Sequence, residues 1–136
     1  SIYYASSGIP AGDPYPETAQ PYLGQTTVNY SYDASHVPNN SKKVFIIIMT
    51  QPFFSGPVPN LVNLKYRSRY VILAANDTSF LFNYMHPGTY YVYALYDADG
   101  NNIPNSGDWL STANTSFTLN ALGTTTVNTQ INFTIP

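Results

Sequence analysis

The sequence predicts an all-β protein, a two-sheet antiparallel β-sandwich with an extended N-terminal arm. Helical periodicity is missing along the chain, while runs of β-branched and aromatic residues recur and each ends in a cluster of turn-forming residues. The first 24 residues differ because proline recurs there, and proline continues neither a helix nor a central strand. We therefore divide the chain into an arm, residues 1–24, and a sandwich domain, residues 25–136. The prolines of the arm are Pro10, Pro14, Pro16 and Pro21.

The runs of strand-forming residues predict eight strands in the domain. Clusters such as His86-Pro87-Gly88 separate them, because these residues supply the fixed or left-handed backbone angles that end a strand. The strands are predicted near Thr26–Tyr32, Lys43–Thr50, Leu61–Tyr66, Tyr70–Ala75, Ser79–Asn83, Thr89–Asp97, Thr115–Leu119 and Thr125–Thr134.

Three of these strands predict how the sheets are buried. Val44–Met49 is apolar without alternation, which is typical of a strand buried on both faces. Thr89–Tyr96 carries apolar or aromatic residues on both faces, so we expect a central strand. The last strand alternates, and its predicted core face consists of Val127, Thr129, Ile131, Phe133 and Ile135. Together these patterns predict two packed sheets.

The composition excludes several classes of partner and site. Charged residues make up only 9% of the 136 residues and the formal net charge is −2, so neither nucleic acid nor an anionic membrane surface is an expected partner. The longest apolar run, Val44–Met49, is too short for a membrane helix, so membrane insertion is not expected. Without cysteine, disulfides and thiolate metal sites are excluded. Ser1 in place of an initiator methionine agrees with removal of a leader peptide, so we expect a secreted protein, extracellular or at the cell surface.

The loop from Asp97 to Asp108 has the ligand spacing of a calcium site. Calcium takes six to eight hard oxygen ligands, and clustered carboxylates repel one another unless a cation offsets them. The alternative is an ion-free hairpin turn, since Asp, Asn and Gly favour turns for backbone reasons alone. It is not an EF-hand, because strands flank it and Asp108 stands where glutamate is expected. The predicted ligands are the carboxylates of Asp97, Asp99 and Asp108, the amide oxygen of Asn101 and the carbonyl of Ile103, with Asn105 as a further candidate that binds directly or through water.

Several motifs after the arm carry a family resemblance. They are the strand pair Thr27–Tyr32 and Val44–Thr50, the segment Phe53–Val58, and the run Pro87–Asp97 that continues as Asp99-Gly100-Asn101, Ile103-Pro104 and Gly107-Asp108. In this order they resemble the carboxypeptidase-regulatory-like, prealbumin-like (transthyretin-like) modules of bacterial surface and secreted proteins. The resemblance implies an Ig-like sandwich of seven or eight strands, a non-catalytic module and calcium in the aspartate-rich loop. Asn102 replaces a usual glycine and Asn105 a usual aspartate.

The arm is too apolar for a solvated tail, and we expect it to bind a partner. It can pack along its own domain, link to further sequence, or add as a donor strand to a neighbouring copy, which generates a fibre. A surface rich in tyrosine and poor in charge favours the last, because protein interfaces share that composition. The apolar residues of the arm are Ile2, Tyr3, Tyr4, Ile9, Tyr15, Tyr22 and Leu23.

The function expected from the sequence is therefore structural. We expect a homopolymer, an extracellular filament or surface fibre assembled through the arm, with calcium stabilising the loop. The alternative is an accessory binding or adhesion module, in which tyrosines and Trp109 stack on glycans.

An enzyme is not expected, because no motif typical of catalysis occurs and both His36 and His86 stand beside proline in turn-like stretches. We expect both histidines to be exposed. Sequons occur in predicted turns, and the candidate glycosylation sites are Asn39, Asn76 and Asn114.

Overall fold

The computed structural model describes residues 2–4, 22–55, 58–62, 68–112 and 116–136. Nine strands form one curled mixed sheet, a half-barrel, in the order β1-β6-β3-β8-β9-β11-β2-β7, with β10 paired to β8. Strands β4 and β5 form a separate small hairpin. The strands are β1 Ile2–Tyr4, β2 Gly24–Tyr32, β3 Lys43–Met49, β4 Phe54–Ser55, β5 Val58–Pro59, β6 Ser68–Ala74, β7 Ser79–Met85, β8 Gly88–Asp97, β9 Trp109–Ser111, β10 Ser116–Leu119 and β11 Thr124–Thr134.

The all-β class is confirmed, whereas the two-sheet antiparallel sandwich is not. Strand β11 runs parallel to β2 over Thr124–Ile131, and from Ile131 to Thr134 it runs antiparallel to β9. It therefore joins β2 and β7 to the other strands in a single sheet. Such a pairing between distant segments leaves no trace in local periodicity.

One predicted strand is not formed by those of its residues that the structure describes. Leu61 and Val62, the start of the predicted strand Leu61–Tyr66, are helical, and its residues 63–66 lie outside the described residues. Within the part of the chain that the structure describes, no helix has the length and hydrophobicity needed to cross a membrane.

The unbroken apolar strand is buried on both faces, as predicted. Val44, Ile46 and Ile48 of β3 belong to the main core, inside the curl of the sheet. Phe45, Ile47 and Met49 face a second cluster on the other side. Both neighbours of β3, strands β6 and β8, pair with it over seven consecutive residues. Strand β8, also apolar on both faces, is central as expected.

The last strand follows its predicted alternation only as far as Ile131. Val127, Thr129 and Ile131 are buried, and Ile135 is buried again near the end of the chain. Phe133, predicted to lie in the core, is 42% exposed. The register between β11 and β9 shifts between Ile131 and Phe133, and such an irregularity turns the following side chain away from the core.

Candidate metal centre and strand-addition edge

The hairpin between β8 and β9 brings the two ends of the aspartate loop together. Tyr96 lies opposite Trp109 in the antiparallel ladder, so Asp97 and Asp108 follow side by side where the strands separate. The indole of Trp109 stacks on the Tyr96 ring with a centroid distance of 4.2 Å. Asp97 and Asp108 are buried, at 1% and 0% exposure, while Asp99 is exposed. The sequence prediction that the three aspartates converge is therefore confirmed.

The three carboxylates form a compact acidic cluster. One oxygen from each of Asp97, Asp99 and Asp108 lies within 4.8 Å of the others, a separation that lets all three bind one metal ion. Burial, helped by the nearby charges of Asp97 and Asp99 and opposed by the N–H donors of Asn105 and Ala98, raises the pKa of Asp108 to about 6. Burial is also the largest cause of the raised pKa of Asp97. Without a cation, keeping the two buried carboxylates of Asp97 and Asp108 ionised therefore costs free energy in the folded protein.

Backbone amides of the loop fix the orientation of the two buried carboxylates. The N–H of Asn102 donates to Asp97 Oδ2 at 2.8 Å. The N–H groups of Ala98 and Asn105 donate to the two oxygens of Asp108, at 3.0 and 3.1 Å. Asn102 reaches this position with a left-handed backbone, at φ 62°, a conformation that asparagine tolerates better than most residues. The carboxylates are thus positioned before any ligand binds.

Two oxygens in this cluster are buried without a hydrogen-bond partner: Asp97 Oδ1 and Asn105 Oδ1. The side-chain amide of Asn105 is held in the cluster because its Nδ2 donates to Asp99 Oδ2 at 3.1 Å. A buried oxygen without a partner costs free energy, and a carboxylate oxygen costs more than a neutral one. A cation bound among the carboxylates would give Asp97 Oδ1 a partner. Asn105, which the sequence suggested as a ligand that binds directly or through water, is held next to Asp99 and stays a candidate ligand.

Asn101 and Ile103, the other two predicted ligands, are not shown to face the three carboxylates. The side-chain oxygen of Asn101 accepts the N–H of Ile103 at 2.9 Å, which closes a local turn. Ile103 itself is 52% exposed. Their participation as ligands stays a prediction, whereas the carboxylates of Asp97, Asp99 and Asp108 are brought together.

The loop also holds the C-terminal end of the chain. The N–H of Gly107 donates to the carbonyl of Ile135, and the N–H of Ile135 donates to the carbonyl of Asp108, both at 2.8 Å. The Ile135 side chain packs in the second apolar cluster with Leu95 and Leu110. Order in the aspartate loop is therefore coupled to the packing of the last residues.

The arm contributes a strand to the sheet. Strand β1 pairs antiparallel with β6, with Ile2 opposite Val71, Tyr3 opposite Tyr70 and Tyr4 opposite Arg69. This places β1 at one end of the strand order, outside β6.

The rest of the arm is described in part. Tyr22 is 42% exposed, with its ring 5.6 Å from that of His86, and Leu23 is buried. Ile9 and Tyr15, also predicted to bind a partner, lie outside the described residues.

The sequence predicted that both histidines are exposed turn residues, and this prediction is wrong. His36 and His86 are 8% and 5% exposed. His36 Nδ1 lies 2.7 Å from Asp33 Oδ1 and its Nε2 lies 2.9 Å from Thr134 Oγ1, so the ring ties a turn to the last strand. Its ring also meets the edge of Trp109 at 5.0 Å. Their packing gives both histidines a structural role.

Among the predicted glycosylation sites, Asn39 and Asn76 are exposed in loops. Asn114 lies outside the described residues.

Comparison with models of protein families, with curated proteins and with solved structures finds no match. The case for a function therefore rests on the aspartate cluster and on the strand that the arm adds to the sheet.

Proposed function

We propose that this protein is a structural subunit of an extracellular filament, assembled when the N-terminal arm of one copy adds as a strand to the next. The observation that carries the proposal is the antiparallel ladder of β1 on β6. It supports the idea that the first residues of the arm can extend a sheet edge through main-chain hydrogen bonds, the basis of strand addition. A copy that gives its strand to one neighbour and accepts a strand from another forms a contact that does not close, so the product is a fibre.

The surface supports association between copies. Only 9% of the residues are charged, so contacts between copies involve little repulsion or desolvation of charge. Large apolar or aromatic side chains are exposed on the described part of the chain, among them Tyr22, Val62, Tyr84 and Leu122. Tyrosine in particular is enriched in protein interfaces.

We also propose that calcium binds the cluster of Asp97, Asp99, Asp108 and Asn105. Carboxylate and amide oxygens without nitrogen or sulfur ligands favour a hard cation, and an irregular loop suits the flexible coordination of calcium better than the strict octahedron of magnesium. Bound there, the ion would offset the buried negative charge and fix the loop against Ile135. In a chain without cysteine it would take the place of a disulfide.

A glycan-binding module is the weaker alternative. Trp109 is half-buried, with one face against Tyr96 and His36 at its edge, which reduces the ring surface left for stacking on a sugar. Retention of the full chain on immobilised glycans, lost in a Trp109→Ala variant that folds normally, would favour this alternative.

The filament proposal is tested with the full chain in calcium-containing buffer, by light scattering and negative-stain electron microscopy. We expect concentration-dependent filaments. A Tyr3→Pro variant, which cannot donate its backbone N–H to a ladder, should assemble much less. A Tyr3→Val variant keeps the N–H and a strand-forming residue and should assemble like the native chain. A strictly monomeric native chain at high concentration, or normal filaments from the Pro variant, would contradict the proposal.

The calcium proposal is tested by titration with terbium, an analogue whose luminescence is sensitised by nearby aromatic rings such as Tyr96 and Trp109. We expect saturable binding that calcium displaces. Asn105→Ala should weaken binding by roughly tenfold or more, because mutations around metal sites commonly cost 10 to 100-fold. Asn101→Ala is the matched control and should cost less. Equal losses in the two variants would show that Asn105 is not a ligand, and no saturable signal would exclude the site.

A further inference from the structure

We propose that the edge of β6 is the acceptor site for the assembly, and that its occupant is β1 of a second copy, in the register seen within one chain. Ile2 of one copy would lie opposite Val71 of the partner subunit. This inference rests on the proposed filament function and adds the acceptor, the donor strand and the register.

The β6 edge is regular. Strand β6 pairs with β3 over seven consecutive residues, from Ser68 opposite Met49 to Ala74 opposite Lys43, with no shift in register. A strand that pairs without a register shift on one side presents an uninterrupted row of N–H and C=O groups on the other, which is the template that an added strand needs. Strand β1 already uses Arg69–Val71 of this template.

The edge at the other end of the sheet is less suitable. Strand β7 pairs with β2 through a register shift between Gly24 and Thr26. Tyr84, within β7, has a left-handed backbone at φ 56°, and Thr78 before the strand has φ 66°. These angles turn backbone groups out of line, which is one way in which natural sheets block their edges. An incoming strand therefore meets a better template at β6 than at β7.

The connection between donor strand and domain is long enough for exchange. Residues 5–23, 19 in all, separate β1 from β2. Four prolines in this segment favour an extended chain, in which 19 residues span up to about 60 Å. That reach is several times the radius of gyration of a domain of this size, about 13 Å.

Exchange costs little in contacts, because the ladder between β1 and β6 is the same whether the two strands belong to one copy or to two. The monomer with its own strand in place is then the storage form, and the filament forms as concentration rises.

Disulfide trapping tests the inference, and the cysteine-free chain makes each introduced thiol unique. Chains carrying Tyr3→Cys and chains carrying Tyr70→Cys, one of them isotopically labelled, are mixed under assembly conditions and oxidised. Directly opposed residues of an antiparallel pair have Cα atoms about 4.5–5.5 Å apart, within the range that a disulfide bridges. We expect a disulfide-linked heterodimer, identified by mass spectrometry.

Two controls locate the acceptor. Tyr3→Cys chains mixed with Leu81→Cys chains probe the β7 edge, and mixed with Thr126→Cys chains probe β11; both positions are exposed. Each should give at least about tenfold less heterodimer, because neither thiol lies within disulfide reach of Tyr3 in the proposed register. Should Tyr70→Cys disturb the fold, the pair Ile2→Cys and Val71→Cys replaces it, since cysteine is close to valine in size.

Each outcome of this experiment either supports or overturns the inference. A heterodimer that forms with the β6 cysteines, and not with the β7 or β11 cysteines, supports the inference. Filaments without that heterodimer, or with equal linkage to β7 or β11, overturn the acceptor and leave the filament function standing. A chain that neither assembles nor cross-links overturns both.

Discussion

Removing the carboxylate of Asp108 should change how the stability of the calcium-free protein depends on pH. Burial raises the pKa of Asp108 from 3.8 to about 6. Between these two values the folded protein binds the proton more tightly than the unfolded chain, so the free energy of unfolding falls as the pH rises through this window. A change from 3.8 to about 6 corresponds to roughly 3 kcal/mol lost between pH 4 and pH 7.

The assay is urea denaturation in a chelator at several pH values, for the native chain and for Asp108→Asn. Asp33 contributes in the opposite sense, because its hydrogen bond to His36 lowers its pKa. Asp33 is present in both chains, so its effect cancels when the two are compared. We expect the native chain to lose stability relative to the variant by about 3 kcal/mol as the pH rises from 4 to 7.

Calcium should reverse this loss for the native chain alone. At about 100 times its dissociation constant, a ligand that binds only the folded state adds about 2.7 kcal/mol. Parallel pH profiles of the native chain and Asp108→Asn in chelator would refute the assignment of the cost to this carboxylate.

Two further substitutions test the packing and the loop. Gly24→Ala should lower the free energy of unfolding by about 1–3 kcal/mol in urea, because its Cβ would lie 2.6 Å from the Gly123 carbonyl oxygen; a loss equal to that of Gln25→Ala would contradict this. At Asn102, where φ is 62°, valine should cost about 1–2 kcal/mol while glycine should be neutral or stabilising; equal melting temperatures for the two variants would contradict the left-handed geometry.

Local patterns predicted seven of the strands and the clustering of the aspartates in one loop, because both depend on short-range chemistry. The alternation along β11 and the apolar run in β3 reflect which faces are buried, and the hairpin turn alone brings Asp97 beside Asp108. The ladder of β11 with β2 joins residues about a hundred positions apart, which no window of the sequence reveals. For the same reason the exposure of Phe133 escaped prediction, since it follows from a register shift against β9.

The sequence suggested Asn105 as a ligand that binds directly or through water, but it could not show how the side chain is held. The spacing of Asn105 from Asp108 is typical of an ordinary turn, and its backbone carbonyl accepts the N–H of Asp108. Only the three-dimensional arrangement shows that its side-chain oxygen is buried without a hydrogen-bond partner while its Nδ2 donates to Asp99.

The parallel ladder between β2 and β11 has a consequence for the order in which the protein folds. Strand β2 can pair with β11 only after the roughly one hundred residues between them have been made, so the sheet is completed late. Pairings between such distant segments make folding slow, commonly on the millisecond-to-second scale. Strand β1, by contrast, is made before the other described strands and needs only an edge of β6. A newly made chain can therefore meet the edge of a finished neighbour before its own edge has formed, and growth of a fibre would then compete with completion of the monomer.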